Sequence, residues 1–202
     1  MISAAHCFPK SKNVIGYRII LGEHHRGRTE ATEQFIDINR HDIIIHSKYK
    51  RTSHRDDIAV VTLSQDAKMS NHIAPICLPR VNAELKPGTL CHLSGWGRSI
   101  WHGSSTKILQ EITVPVVDPK KCMKRDYRVT SHMLCTGDDT FKSACHGDSG
   151  GGLACRVGGV WGLYGVVSWG NGICNGMNMY SVFTKVSKYI PWIERERNGG
   201  WP

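Results

Sequence analysis

Short runs of β-branched and aromatic residues alternate with turns through the first two thirds of the chain. Four runs have the length of a strand, at residues 17–21, 34–38, 42–46 and 58–63. The last run is continuously apolar, which indicates a buried strand. We expect residues 1–8 to form a further strand that ends at a histidine. The pattern predicts a mostly-β fold.

Later segments add strands and the only helical patterns. Residues 108–117 are typical of one or two strands, and Asp118 followed by Pro119 predicts a short capped helix. Residues 186–198 have apolar side chains at helical spacing, with Pro191 tolerable only near the first turn. Pro87-Gly88 predicts a turn. Helix is therefore expected only late in the chain.

The composition is that of a globular protein, with 40% hydrophobic and 21% charged residues among 202. The net charge is +9, and basic residues cluster at 48–51 and 120–125. Such clusters can attract sulfated glycans or nucleic acid, although solvated loops are the interpretation we favour. Because no aromatic-interleaved basic face suggests nucleic-acid readout, we predict no nucleic-acid partner. No apolar run approaches the roughly 20 residues of a membrane span.

Eight cysteines without a C-x-x-C pair indicate disulfides and a secreted protein. The first residues, however, lack the basic and apolar regions of a signal peptide. We therefore expect the signal peptide to lie in an N-terminal part that this sequence lacks.

Residues 145–153 contain a serine, Ser149, among glycines. A hydroxyl that attacks a carbonyl must be accessible, and amide N–H groups must converge on the oxyanion about 3 Å away. Gly147 allows the turn that brings the Gly147 and Ser149 N–H groups together, and Gly150 and Gly151 leave room for a substrate. The alternative is a glycine-rich turn with an incidental serine.

A serine nucleophile needs a base that a third group orients. His6 follows small residues, and Asp57 precedes the apolar run at 58–63. In chain order the motifs are A-A-H-C, D-I-A, G-W-G, G-D-S-G-G and S-W-G. With these motifs the whole chain resembles the trypsin/chymotrypsin-type serine endopeptidases, the chymotrypsin-like S1 family. The resemblance implies that His6 is the general base, Asp57 its orienting carboxylate and Ser149 the nucleophile that forms an acyl-enzyme.

The same resemblance implies two six-stranded antiparallel β-barrels with the active site between them and a C-terminal helix. The first barrel would be incomplete, because family members begin further upstream with an activation site. We assign the N-terminal barrel to residues 1–79, a connector to 80–90, the C-terminal barrel to 91–185, and helix and tail to 186–202. Together they form one peptidase S1 domain.

The resemblance also implies the disulfides Cys91–Cys155, Cys122–Cys135 and Cys145–Cys174. Cys7 and Cys77 remain, and their partners would lie upstream. In relatives with accessory domains, a cysteine at the position of Cys77 tethers a propeptide or light chain. A free buried thiol is the alternative.

Further residues acquire roles from the resemblance. Ser143 lies at the base of the specificity pocket, Ser168, Trp169 and Gly170 bind the substrate, and Ser181 narrows the pocket. A serine at the base does not select Lys or Arg, so we predict cleavage after large apolar or aromatic residues. Protein or peptide substrates and protease inhibitors are the expected partners.

Two charged sites complete the predictions. In the family's zymogens, a newly cut N-terminus pairs with the aspartate before the serine, here Asp148, and sets the oxyanion hole. Glu23, Glu30 and Glu33 resemble the family's calcium loop, and oxygen ligands suit Ca²⁺. Two arginines within that loop weaken the case for calcium, and an ordinary charged hairpin is the alternative. No cofactor is expected to be required.

The sequence thus leaves more than one function open. A secreted serine endopeptidase is the interpretation we favour. The alternative is a truncated, catalytically inert protein that binds partners or inhibitors. A pseudo-enzyme with a scaffolding role is disfavoured because all three catalytic residue types are present.

Overall fold

Strands account for most of the regular structure. The computed structural model describes residues 1–9, 16–99, 102–137, 142–170, 174 and 180–197. Within them the strands are β1 (Ile2–Ser3), β2 (Gly16–Leu21), β3 (Gln34–Asn39), β4 (Ile43–Ile45), β5 (Ala59–Val61), β6 (Leu90–Gly95), β7 (Gln110–Pro115), β8 (Met133–Thr136), β9 (Gly152–Val157), β10 (Val160–Gly170) and β11 (Ser181–Lys185). The α-helices are α1 (Pro119–Arg125) and α2 (Ile190–Arg197). The predicted mostly-β fold with a C-terminal helix is confirmed.

The second half of the chain forms one six-stranded antiparallel sheet in the order β7-β6-β9-β10-β11-β8. Its outer strands meet beyond the end of β7, where Val116 pairs with Thr136 and the Val117 N–H donates to the Cys135 carbonyl at 2.9 Å. This contact satisfies backbone groups that an open sheet would leave at its edges. Phe183 and Leu153 fill the space that the sheet encloses, and both are fully buried.

The described residues of the first half form five strands in two sheets, β1-β5-β4 and the hairpin β2-β3. Alternation in the hairpin places Ile19, Ile36 and Ile38 on one face, where they pack against Val61 of β5. Side chains of a strand point alternately to its two faces, so the three isoleucines all lie on the face that meets Val61. Their contact with Val61 joins the two sheets around one core.

A third core connects the two halves. Ala4, Ile58 and Val60 of the first half pack against second-half residues that include Val166 and Trp192. The connection fixes the segments just before β5 and just after β1 against the second sheet. Both predicted triad members of the first half, His6 and Asp57, lie in those segments.

Three predicted elements differ from the structure. Residues 1–8 are not one strand, because a 3₁₀ turn at Ala5–Cys7 follows β1 and contains His6. A second 3₁₀ turn, Arg40–Asp42, is closed by a capping box between Asn39 and Asp42, so β4 begins at Ile43. The C-terminal helix is divided into a 3₁₀ turn at Val186–Lys188 and α2.

The two proline positions agree with their predicted use. The Asp118 carboxylate accepts a hydrogen bond from the Lys120 N–H at 2.8 Å and caps α1, with Pro119 in the first turn. Pro191 lies in the first turn of α2, where no intrahelical donor is lost. The domain boundaries remain predictions.

Cysteine pairs reinforce the second half. The structure joins Cys91 to Cys155, Cys122 to Cys135 and Cys145 to Cys174. Cys7 and Cys77 are not in disulfides, and Cys77 is exposed, so the alternative of a buried thiol at that position is wrong. Among the described helices, none has the length and apolar character that crossing a membrane requires.

Candidate active site

A cleft of about 290 Å³ lies between the two halves. His6 and His54 line it from the first half, and the wall from the second half includes Ser143, Ser149 and Ser181. The structure therefore brings residues that are more than 140 positions apart to one surface.

Asp57 is the most tightly held group beside this cleft. Its side chain is fully buried, Oδ1 accepts from the His6 backbone N–H at 2.9 Å, and Oδ2 lies 2.7 Å from His6 Nδ1. The Ser168 hydroxyl also donates to Oδ2, at 2.5 Å. Burial raises the pKa of the Asp57 carboxyl, but the hydrogen bonds and charge of His6 and the Ser168 hydroxyl outweigh it and lower the pKa. Asp57 is therefore ionised at neutral pH.

The His6 imidazole is oriented by this carboxylate. Burial lowers the pKa of His6, but the hydrogen bond and negative charge of Asp57, assisted by the neighbouring Cys7 thiol, raise it overall. In the neutral ring, the contact with Asp57 holds the proton on Nδ1 and leaves the lone pair on Nε2. A lone pair on Nε2 is what a general base for a serine hydroxyl requires.

Ser149 is exposed in the same cleft, in a loop that glycines shape. Gly147 and Gly150 have φ of 101° and 80°, in the left-handed region that side chains rarely enter. Within the described part of the chain, the Gly147 and Ser149 N–H groups donate to no other group. They are available to an oxyanion. The Ser149 and His6 side chains make no direct hydrogen bond here, where His6 contacts Asp57. Catalytic hydrogen bonds are often long without a substrate and shorten when one binds.

Asp148 anchors that loop from behind. Its Oδ1 accepts from the Gly97 N–H and its Oδ2 from the Cys145 N–H, both at 2.9 Å. A Cβ at Gly97 would lie 2.5 Å from Oδ1, which explains why the G-W-G motif ends in glycine. Asp148 also lines a second cavity of about 200 Å³.

Serine side chains line the second-half wall of the cleft. Ser181 is almost fully buried and its hydroxyl accepts from the Ala144 N–H at 2.9 Å, beside Ser143. Gly170 pairs with Ser181 across β10 and β11, and Trp169 and Ser168 precede it along the wall. No carboxylate occurs among the described residues that line this cleft. The Ser168 side chain faces Asp57, so any contribution of Ser168 to substrate binding is left to its backbone.

Sequence patterns did not indicate His54. It adopts φ of 50°, its ring meets that of His6 edge-on at 5.8 Å, and its Nδ1 lies 3.8 Å from Asp57 Oδ2. Burial lowers the pKa of His54 despite that carboxylate. The position three residues before Asp57 was the only available signal, and it becomes informative only once Asp57 is located.

Three glutamates meet away from the cleft. Each of Glu23, Glu30 and Glu33 offers a carboxylate oxygen within 4.8 Å of the others. Glu23 Oε1 is buried without a hydrogen bond, whereas Glu30 Oε1 accepts from Arg28 at 3.1 Å. The oxygen donors suit Ca²⁺, and Arg28 is a competing cation at the same carboxylate.

Comparisons with known proteins agree with this geometry. A family model described as Trypsin matches residues 1–193. Chymotrypsin-C of Bos taurus is 36% identical over 97% of the chain and 74% of its own length. Chymotrypsin-like elastase family member 1 of Bos taurus is 34% identical, and member 3B of Homo sapiens 36%, each over 96% of the chain and 73% of its own length.

Proposed function

The chain belongs to the trypsin family of serine endopeptidases, and we propose that Ser149, His6 and Asp57 are its catalytic triad. One observation supports this proposal most strongly. The fully buried Asp57 carboxylate lies 2.7 Å from His6 Nδ1, beside the cleft in which Ser149 is exposed.

The chemistry follows from these positions. Ser149 Oγ attacks the substrate carbonyl while His6 Nε2 takes its proton, and Asp57 stabilises the resulting imidazolium. The Gly147 and Ser149 N–H groups bind the oxyanion. His6 then donates the proton to the leaving amine, which leaves an acyl-enzyme on Ser149. Water activated by His6 hydrolyses the ester and restores the hydroxyl.

We propose that the preferred substrates carry a large apolar or aromatic side chain before the cleaved bond. Ser143 and Ser181 line the cleft and offer hydroxyl groups without charge, and the family resemblance implies that Ser143 lies at the base of the pocket. A Lys or Arg side chain buried there would lose its hydration without an ionic partner, which costs several kcal/mol. Ser181 carries a side chain that narrows the pocket.

We propose that the Asp148 carboxylate forms an ion pair with a cation that occupies the cavity which Asp148 lines. Both of its oxygens already hold backbone N–H groups of the loops beside Ser149, so a positive partner would strengthen that arrangement. The ammonium group of a newly cut N-terminus is the partner that the family resemblance implies. Such pairing would couple activation cleavage to the position of the Gly147 N–H.

Two further proposals concern environment. The disulfides and the family relationship support secretion to an extracellular location.

We also propose a structural Ca²⁺ site at Glu23, Glu30 and Glu33, which is not needed for the chemistry. If so, Ca²⁺ raises the melting temperature of the chain, whereas Glu30→Gln abolishes that increase and leaves the effect of Mg²⁺ unchanged.

The test of the catalytic proposal is labelling by a fluorophosphonate probe, which forms a covalent bond with an activated serine. We expect one label per chain, at Ser149, and none in Ser149→Ala. Asp57→Asn should slow labelling strongly without unfolding the protein, as judged by circular dichroism.

A folded protein that does not label would contradict the proposal. Calorimetric titration with a protein protease inhibitor would then test the alternative function, an inert protein that binds inhibitors. Inhibitor binding without labelling would favour that alternative.

A further inference from the structure

His54 adds a third metal-ligating group to the pair formed by His6 and Asp57. The three side chains each offer one ligand atom, and these atoms all lie within 4.8 Å of one another. Asp57 Oδ2 is 2.7 Å from His6 Nδ1 and 3.8 Å from His54 Nδ1. A separation of 3.8 Å is too long for a hydrogen bond, and His54 Nδ1 is buried without any hydrogen-bond partner.

The orphaned nitrogen is unusual because buried polar atoms nearly always have a partner. The backbone of His54 is also unusual. His54 holds φ of 50°, a conformation that costs free energy for a residue with a side chain, and its side chain lines the cleft. The structure thus directs an unsatisfied lone pair or N–H towards the buried carboxylate.

We propose that His6, His54 and Asp57 bind a Zn²⁺ ion that inhibits the enzyme. Two imidazole nitrogens and one carboxylate oxygen form a donor set typical of Zn²⁺ and unsuited to Ca²⁺ or Mg²⁺. Ligands at about 2.1 Å from a tetrahedral ion are about 3.4 Å apart. The observed 2.7 and 3.8 Å each differ from that value by less than 1 Å, and the two histidine ligand atoms lie within 4.8 Å of each other, so both rings would have to shift to hold the ion. A water molecule would complete the tetrahedron, because His6 and His54 both line the cleft.

Zinc binding would remove the catalytic base by changing its tautomer. The ion replaces the proton on His6 Nδ1, and the neutral ring instead carries a proton on Nε2. Starting from the neutral ring, no proton is released; starting from the imidazolium, one proton passes to solvent. Asp57 remains ionised in both cases. An Nε2–H cannot accept the proton of Ser149, so attack on the substrate stops. Binding itself does not require the proposed catalytic function, whereas inhibition rests on it.

Binding is measured on a chain that carries Ser149→Ala and Cys77→Ser, which removes self-digestion and the exposed thiol. Co²⁺ serves as a spectroscopic probe, because tetrahedral coordination gives visible absorption, and Zn²⁺ affinity is measured by calorimetry. We expect one equivalent of Zn²⁺ to bind, with an affinity at least tenfold lower in His54→Asn. Loss of an outer-shell partner already lowers metal affinity about 10–100-fold, and loss of a ligand itself should lower it at least as much. Asparagine tolerates the positive φ of this position.

Three control variants identify the site. His72→Asn removes an exposed histidine of another loop, Glu30→Gln alters the carboxylate cluster, and Cys7→Ser removes the thiol beside His6. Each should retain the parent affinity for Zn²⁺. Unchanged affinity in His54→Asn, or loss in any control equal to that in His54→Asn, would overturn the proposal.

Two measurements cover the remaining cases. If His54→Asn does not fold, histidine-selective NMR of the parent decides, since Zn²⁺ must shift two ring resonances and leave that of His72 unchanged. In the chain with Ser149 intact, Zn²⁺ should slow fluorophosphonate labelling at least tenfold and EDTA should restore it. Zinc bound at His54 without slower labelling would overturn the inhibitory mechanism. Failure of labelling before zinc is added would instead concern the catalytic proposal.

Discussion

The Ser168 hydroxyl donates a 2.5 Å hydrogen bond to Oδ2 of Asp57, from 111 positions further along the chain. A second tie lies nearby, where the Thr184 hydroxyl donates to the Asp57 backbone carbonyl at 2.7 Å. Asp57 belongs to the first half and both donors to the second. The second half therefore holds the carboxylate that orients His6.

Ser168→Ala should lower kcat/KM by about 10- to 100-fold, because a hydrogen bond to a charged group contributes roughly 1.5–3 kcal/mol. The loss should appear mainly in kcat, since Asp57 does not touch the substrate. Ser187→Ala is the matched control, because its buried hydroxyl binds the Ala83 carbonyl instead. Equal kinetics for Ser168→Ala and the parent would contradict a role in positioning Asp57.

Catalysis requires neutral His6, so activity should rise with pH as that imidazole loses its proton. Asp57 raises the pKa of His6, which keeps the ring protonated to higher pH. Asp57→Asn should therefore shift the acid limb of the kcat/KM profile to lower pH and reduce its plateau by about 10⁴, the loss known for this triad chemistry. A limb that stays in place would exclude His6 as the titrating group.

The Tyr189 hydroxyl donates to Asp56 at 2.9 Å and holds the loop that precedes β5. Burial, followed by the Asp56 interaction, raises the pKa of Tyr189, so the phenol stays a donor at neutral pH. Tyr189→Phe should lower the free energy of unfolding by about 1.5 kcal/mol. Urea denaturation measures the change. Tyr127→Phe, at an exposed position, should have no effect, and an equal loss in both variants would refute the argument.

Ser143→Asp should change the pocket preference. A carboxylate at the base would pair with a basic side chain and would be costly to desolvate beside an apolar one. We expect the ratio of kcat/KM for Arg over Phe peptides to rise at least 10-fold. Ser143→Asn, which is similar in size and uncharged, should leave the ratio near its parent value. A rise in both variants would attribute the effect to shape rather than charge.

The Cys91–Cys155 and Cys122–Cys135 bonds close loops of different length, with sequence separations of 64 and 13. The chain-entropy relation predicts stabilisation of about 4 kcal/mol for the longer loop and about 3 kcal/mol for the shorter. Paired Cys→Ala variants compared in urea should reproduce that order. A larger loss for Cys122/Cys135 would show that native-state packing dominates the effect.

Local patterns in the sequence were sufficient for several features. The alternation of β2 and β3, the cap of α1 and the first-turn position of Pro191 each depend on neighbouring residues. The glycines around Ser149 were also informative, because positive φ at Gly147 and Gly150 excludes most side chains. The S1 motifs indicated the family, which the comparisons show directly.

Tertiary structure decided the rest. The 3₁₀ turn that holds His6 has no sequence signal that distinguishes it from the end of a strand. The Ser168 hydroxyl and His54 become part of the site only because folding packs their segments around Asp57. Residue types and short-range spacing determine local conformation and candidate chemistry. Distances between segments that are far apart in the chain depend on how the two halves pack, and that is set by the shared core.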